Sequence, residues 1–453
     1  MVGKTSYPYH IALRIFWLLF ALGYCICPVH TTFNPLMFRI ILVVYLIAFF
    51  CFFKAKKKDN YFDFDTILLT FCTIEHFMGF LFVGSEDFDR LFVTGMDYTL
   101  ITKGALLASV GLVSYMIGAS KLERNESQLK ERANNYSRYK VISPEIIVTL
   151  FIICYLIFVL SGGLSFFESQ YKDGVGSMAG NGRIFQAISL MTIFSNILCA
   201  RFVLDFFRGG RITKRMLFFA LIVFAVAAHM ALVGNRTIFS YLLLPYVISF
   251  FSYVKKLNAT KTLILMIIGV IGMYAIQVFR QGGDTYSTNS VIRIFSDIII
   301  PSRAYLGGFE YVEKMGFTYG VSLLHNFYEL IPGLGSAIGD SATIGSAEAI
   351  TSFLSDGTSS SGLGTTIIAD IYISFGFLGV VLFMFFGGMF VHKTWKDPLN
   401  DTLIQMALFS CCVFIGRSAY FSPLRLIVWG IVFCSIIISF IYGVRKKNNV
   451  FPR

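Results

Sequence analysis

The residues most able to do chemistry in this chain are arginines at the ends of very apolar segments: Arg183, Arg236, Arg280, Arg293, Arg303 and Arg417. A guanidinium stays charged and presents a rigid fork of N–H donors that matches the oxygens of a phosphate. Gathered at a membrane surface, such groups ask for an anionic partner. The sharpest case is Gly234-Asn235-Arg236-Thr237, which joins two apolar runs with almost no loop and so pins Arg236 between two helix ends. Arg280 closes the apolar run that ends in V-F-R-Q-G-G-D, Arg417 closes another in I-G-R-S-A-Y, and Arg303 follows Pro301. The bland alternative for each is that it snorkels to lipid phosphate or pairs with a loop acid.

A second set of ionisable groups lies inside the apolar runs, where charge is rare and tends to be functional: Glu75, His76, Lys103 and Asp370. An ion pair between Glu75 and Lys103 is the simplest expectation, and a proton relay is the alternative. His229, seven residues before Arg236, is expected two helical turns deeper on the same face. Candidate bases for group transfer are Asp284, Asp297, Glu310, Glu313, His325, Glu329 and Asp340, any of which would have to reach an acceptor hydroxyl. No phosphate-binding G-x-x-x-x-G-K-[ST] loop occurs, and Gly333, Gly335 and Gly339 do not make a dinucleotide fingerprint. Neither a metal nor a cofactor is expected. The nine cysteines lie in or beside apolar runs and read as small buried hydrophobes.

The elements that must position these groups are membrane helices. The 453 residues are 56% hydrophobic and 14% charged, against about 25% charged in soluble domains, and the mean hydropathy is +0.70. Apolar runs fall near 11–29, 36–53, 65–83, 99–119, 144–161, 184–207, 216–233, 238–254, 262–279, 363–391, 401–416 and 424–443. The expected fold is therefore all-α and polytopic, with about twelve transmembrane helices, the first retained rather than cleaved as a signal peptide. Every second run is followed by a basic cluster: 54–58, 121–140, 208–215, 255–261, 393–396 and 445–453. That alternation places both termini in the cytoplasm. It also accounts for the net charge of +12 through topology and lipid headgroups, with no nucleic-acid partner.

The chain divides into helices 1–279, a long outer loop 280–362, and helices 363–453. So long a loop points to function. Within it, 319–331 has helical spacing that Pro332 stops, whereas 333–364 holds seven Gly, eight Ser and no Lys or Arg, the composition of a flexible cover or of a polar-substrate surface.

Three segments carry a family resemblance: A-L-V-G-N-R-T-I-F at 231–239, R-A-Y-L-G-G-F-E-Y to F-Y-E-L-I-P across 303–332, and Y-I-S-F-G-F-L-G-V-V at 372–381. With the hydropathy of the whole chain, they resemble the Wzy polymerases of O-antigen and related repeat-unit polysaccharides. The resemblance implies a GT-C-like glycosyltransferase of the bacterial inner membrane, with its active site facing the periplasm. It also implies undecaprenyl diphosphate-linked oligosaccharides as donor and acceptor, and a Wzz-type chain-length regulator and Wzx-type flippase as partners. On that reading Arg236, Arg280, Arg303 and Arg417 bind the diphosphate and Glu310 or His325 assists the acceptor. Arg183, Arg293, Asp297 and Asp370 are secondary candidates. An O-antigen ligase, or a flippase or other transporter, is the alternative; the long loop argues against a transporter.

Overall fold

The computed structural model describes residues 7–85, 95–120, 143–172, 182–209, 211–233, 235–280, 300–328, 330–331, 334, 344–355, 364–396 and 401–450. Among these residues there are helices and turns but no strand. The N-terminal half runs α1 (Tyr7–Ile26), α2 (Pro35–Ala55), α3 (Phe64–Thr73), α4 (Ile101–Ala119), α5 (Pro144–Leu160), α6 (Gly163–Lys172), α7 (Gly182–Gly209) and α8 (Lys214–Leu232). Then follow α9 (Arg236–Ser249), α10 (Ala259–Arg280), α11 (Pro301–Met315), α12 (Val321–Tyr328), α13 (Ser346–Leu354), α14 (Ile367–Lys396), α15 (Thr402–Cys411) and α16 (Leu424–Val450). Each apolar run of the sequence holds one of these helices. Eight helical segments among the described residues are long and apolar enough to cross a membrane, and four shorter apolar helices accompany them.

Side-chain burial is what a lipid environment demands. On α1 the exposed residues include Ile15, Leu18, Leu19 and Leu22; on α10, Leu263, Ile267 and Ile271; on α14, Leu378, Leu382 and Phe386. Spacings of three and four residues put these on one helical face, and in water such faces would be aggregation surfaces. The chain is a membrane protein.

The core is built around α4, of which every residue but Ile117 is buried. Its principal partner is α14, and α1, α2 and α11 pack on its other sides. Glycines let α4 and α14 approach backbone to backbone. A Cβ on Gly118 would stand 2.1 Å from the Phe385 carbonyl oxygen, and one on Gly388 would stand 2.3 Å from that of Tyr115. Small residues at crossing points are how membrane helices gain packing where no hydrophobic force drives association. α14 is not straight: Gly376 has φ 64 and ψ −154, a left-handed conformation that breaks the helix. The kink frees the Ile373 carbonyl, which accepts from the Thr318 backbone N–H at 2.8 Å.

One end of the bundle is lysine-rich. There the turn after α2 meets the turn after α9: Tyr61 N–H donates to Leu257 O at 2.9 Å, Leu257 N–H donates to Asn60 Oδ1 at 3.0 Å, and Lys256 pairs with Asp59. Two of the lysines that look like surface topology signals are in fact tied inward. Lys58 donates to Asp63 Oδ1 and to Thr66 Oγ1 at 2.7 Å, and Lys56 pairs with buried Asp65, which also accepts from Tyr115 on α4 at 2.6 Å. The opposite end holds the reversal from α8 to α9, and with it Arg236.

The stretch 280–362 does not stay apart from the bundle. Pro301 to Phe309 of α11 are buried, Tyr305 donates from its hydroxyl to Gly104 O of α4 at 2.6 Å, and Gly308 lies against Ala369 of α14. The helix expected over 319–331 is present as Val321–Tyr328, starting after the left-handed pair Tyr319 and Gly320. In the Gly/Ser-rich stretch, α13 packs on α11; residues 335–343 and 356–363 lie outside the described residues.

Candidate functional site

Arg236 is set by a short connection between two helices. α8 ends at Leu232, Asn235 N–H returns to Met230 O at 2.9 Å, and the Asn235 side chain caps α9 by accepting from Ile238 N–H at 3.0 Å. Arg236 is then the first residue of α9, half-buried. A cation at the positive end of a helix dipole is unfavourable on its own. Together, the guanidinium and the helix N-terminus make a setting for an anion.

Arg417 reaches the same place from another element. α15 stops at Cys411, and a short 3₁₀ turn, Ile415–Arg417, re-aims the chain. The Arg417 guanidinium lies over the Phe414 ring, 5.4 Å from its centroid. α3 provides a third group. Its helix passes through a π turn, Ile74–Met78, which carries Glu75, fully buried.

These three residues line one cavity of about 360 Å³. Its remaining walls are apolar along almost the full depth of two antiparallel helices: Phe239, Leu243, Leu244 and Val247 of α9, and Leu265, Met266, Val270 and Tyr274 of α10. Phe62 and Ile67 close it toward the lysine-rich end, and Arg236, Arg417 and Glu75 stand at the other. The cavity is a long apolar groove with a cationic head. Its volume lies in the range of small-molecule sites, about 300–1,000 Å³.

Of the other predicted residues, Arg280 ends α10 at the same end of the bundle as Arg236. Arg183 is exposed at the start of α7, away from this cavity. Arg293 and Asp297 lie outside the described residues, as do Asp284, Glu329 and Asp340. Arg303 and Glu310 are brought together, but with each other. They are two turns apart on α11, and the buried guanidinium donates from Nη1 to Oε1 at 2.8 Å and from Nη2 to Oε2 at 3.3 Å. Neither lines the arginine cavity. His325 of α12 packs against Gly345, within electrostatic reach of Asp370, which is buried on α14 and accepts from Tyr420 N–H at 2.8 Å. Glu313 is engaged by His30 at 2.9 Å.

Two expected pairings differ in the structure. Lys103 does not pair with Glu75: its ammonium donates to the carbonyl oxygens of Tyr24 and Cys27, at 2.7 and 2.5 Å, and sits over the Tyr24 ring. These carbonyls end α1 and lack intrahelical donors, so the negative end of that helix captures the cation. His229 is not stacked beneath Arg236. α8 ends at Leu232 and α9 begins at Arg236, so helical spacing does not carry across, and His229 instead bonds the Tyr155 hydroxyl. The cavity's third ionisable group, Glu75, was not among the sequence's candidates for the arginine site. Its presence inside an apolar run was the available signal, but nothing in one dimension put it beside Arg417.

The profile of the O-antigen polysaccharide polymerase Wzy family matches residues 13–449, nearly the whole chain. The chain belongs to this family. Its substrates are accordingly lipid-linked oligosaccharides and its reaction a polymerising glycosyl transfer. No curated protein and no solved structure matches the chain. Among the described residues no group of His, Cys, Asp and Glu is arranged to hold a metal ion.

Proposed function

We propose that this protein extends a surface polysaccharide by transferring a growing glycan from undecaprenyl diphosphate to the non-reducing sugar of a new lipid-linked repeat unit. The transfer takes place at the outer face of the bacterial inner membrane, in a GT-C-like bundle with both termini in the cytoplasm. The observation that carries this reading is the convergence of Arg236 and Arg417 on the head of an apolar groove. The groove suits the first isoprene units of the carrier lipid and the arginines suit its diphosphate, with Arg280 at the same end.

In the transfer, the acceptor hydroxyl attacks the anomeric carbon and undecaprenyl diphosphate leaves. Negative charge grows on the departing oxygens. Guanidinium groups held in place before the reaction stabilise that charge without the cost of reorganising solvent. Loss of one preorganised donor of this kind costs on the order of 100- to 1,000-fold in rate. The expected result is that Arg236→Ala and Arg417→Ala each collapse the polysaccharide ladder on a gel toward a single capped repeat, with the protein at normal abundance. A full ladder from both variants would sink the assignment. Loss of the first repeat as well would point to a ligase instead.

A further inference from the structure

Glu75 is an expensive residue in an unlikely place. It lies within a membrane-spanning helix, it is completely buried, and neither carboxylate oxygen has a hydrogen-bond partner among the described residues. A buried carboxylate without donors is strongly disfavoured, and proteins that keep one in a membrane span do so for function. Two features of the backbone serve it. The helix departs from α geometry for one π turn at Glu75, a distortion found often at functional sites. Opposite, the chain has Gly416: a Cβ there would stand 2.0 Å from Glu75 Oε2 and 2.9 Å from Cys72 Sγ, so the absence of a side chain makes the room the carboxylate occupies. The carboxylate lines the same cavity as Arg236 and Arg417 and lies within electrostatic reach of Arg417. Its conceivable structural partner, Lys103, is held by carbonyls at the end of α1.

We propose that Glu75 is the proton acceptor of the glycosyl transfer, receiving the proton of the acceptor hydroxyl at the head of the arginine groove. This rests on the function proposed above. As the hydroxyl oxygen bonds to the anomeric carbon, its proton passes to a Glu75 carboxylate oxygen. The bond from the anomeric carbon to the diphosphate oxygen breaks, and its electron pair leaves with the diphosphate, whose charge Arg236 and Arg417 meet. The proton on Glu75 then passes to the departing diphosphate or to water as the site empties, restoring the carboxylate.

The test uses purified full-length protein with a defined lipid-linked repeat unit, comparing Glu75→Gln and Glu75→Asp with wild type. General bases contribute about 100- to 10,000-fold. The Gln variant is expected to lose at least 100-fold in kcat, with KM and the binding of undecaprenyl diphosphate within a few-fold of wild type. It is also expected to unfold at the same temperature as wild type, because the isosteric amide fills the same space beside Gly416. The Asp variant, which keeps a carboxylate but withdraws it, is expected to retain part of the rate. A Gln variant that elongates at the wild-type rate overturns the proposal. So does one that loses diphosphate binding in step with kcat, since Glu75 would then only position Arg417. If the Gln variant does not accumulate, the Asp variant decides: a tenfold or larger fall in kcat at constant KM supports the role, and an unchanged kcat overturns it. The broader reading fails separately, if wild-type protein does not elongate or if Arg236→Ala and Arg417→Ala bind undecaprenyl diphosphate as tightly as wild type.

Discussion

The crossing of α4 and α14 offers the most direct physical test of the scaffold, through Gly388→Ala and Gly118→Ala. In the structure a methyl on residue 388 would stand 2.3 Å from Tyr115 O and 2.9 Å from Ala119 N, and one on residue 118 would stand 2.1 Å from Phe385 O and 3.1 Å from Met389 N. Ordinary contact begins at 3.4 Å, so the helices must separate by about 1 Å at either point, a shift that forfeits a quarter to a half of each lost dispersion contact. The atoms in the way are backbone and cannot rotate aside. Overpacking of this kind costs about 1–3 kcal/mol, and roughly a 5- to 30-fold shift in the folded ratio follows from the first 1–2 kcal/mol. The two sites lie on facing helices in the same crossing, so the first alanine opens the gap that the second needs. The double variant is expected to cost clearly less than the sum of the singles. Thermal unfolding in detergent, followed by a thiol-reactive dye on the buried Cys51, Cys72, Cys154, Cys199, Cys411, Cys412 and Cys434, reads this out. Single variants that melt with wild type, or a double variant with fully additive loss, would refute the close approach.

Three further outcomes follow from the geometry. Arg236→Lys and Arg417→Lys keep the charge but lose the bidentate fork, so polysaccharide ladders are expected to be shorter than wild type yet longer than those of the alanine variants; equal ladders for Lys and Arg would mean that charge alone suffices. Tyr115→Phe removes the hydroxyl that donates to buried Asp65 and is expected to destabilise by about 1.5–3 kcal/mol, the worth of a hydrogen bond to a charged group; an unchanged melting temperature would count against the Lys56–Asp65–Tyr115 cluster. Outside the membrane spans, the hydrogen bond that the His30 ring donates to Glu313, aided by the charges of Glu313 and Asp97, raises the pKa of His30 above its ordinary value. A raised folded-state pKa adds stability that is complete below about pH 6 and is lost as pH rises through the raised value. Melting temperature is therefore expected to fall from pH 6 to pH 8 more steeply in wild type than in Glu313→Gln, and identical slopes would disprove the pairing.

Much of the architecture was legible in one dimension. Apolar runs of membrane length have few structural options, because lipid offers no hydrogen bonds to the backbone and a helix satisfies it within one segment. Each run accordingly holds a helix. Arg236 was legible too, since a run boundary of so few residues leaves a cation no freedom. The pairings were less so. Arg303 and Glu310 were separate candidates for two chemical roles until α11 formed and set them two turns apart on one face. Lys103 and Glu75 looked complementary because both were charges in apolar runs, yet a carbonyl-rich helix end competed for the lysine, and hydropathy contains no record of helix ends.

The sequence by itself determined the material of this protein: membrane helices, their order, and a surplus of arginine at one set of ends. Hydrophobic length and charge are local quantities, and lipid reads them segment by segment. Only the tertiary structure decided which of those charges act together. Arg236, Arg417 and Glu75 come from three elements separated by long stretches of chain, and they share a cavity because α9 packs on α15, a 3₁₀ turn that packs on α3 re-aims the chain after α15, and Gly416 leaves a carboxylate its space. Convergence of this kind depends on how helices cross, which is set by contacts among all of them at once.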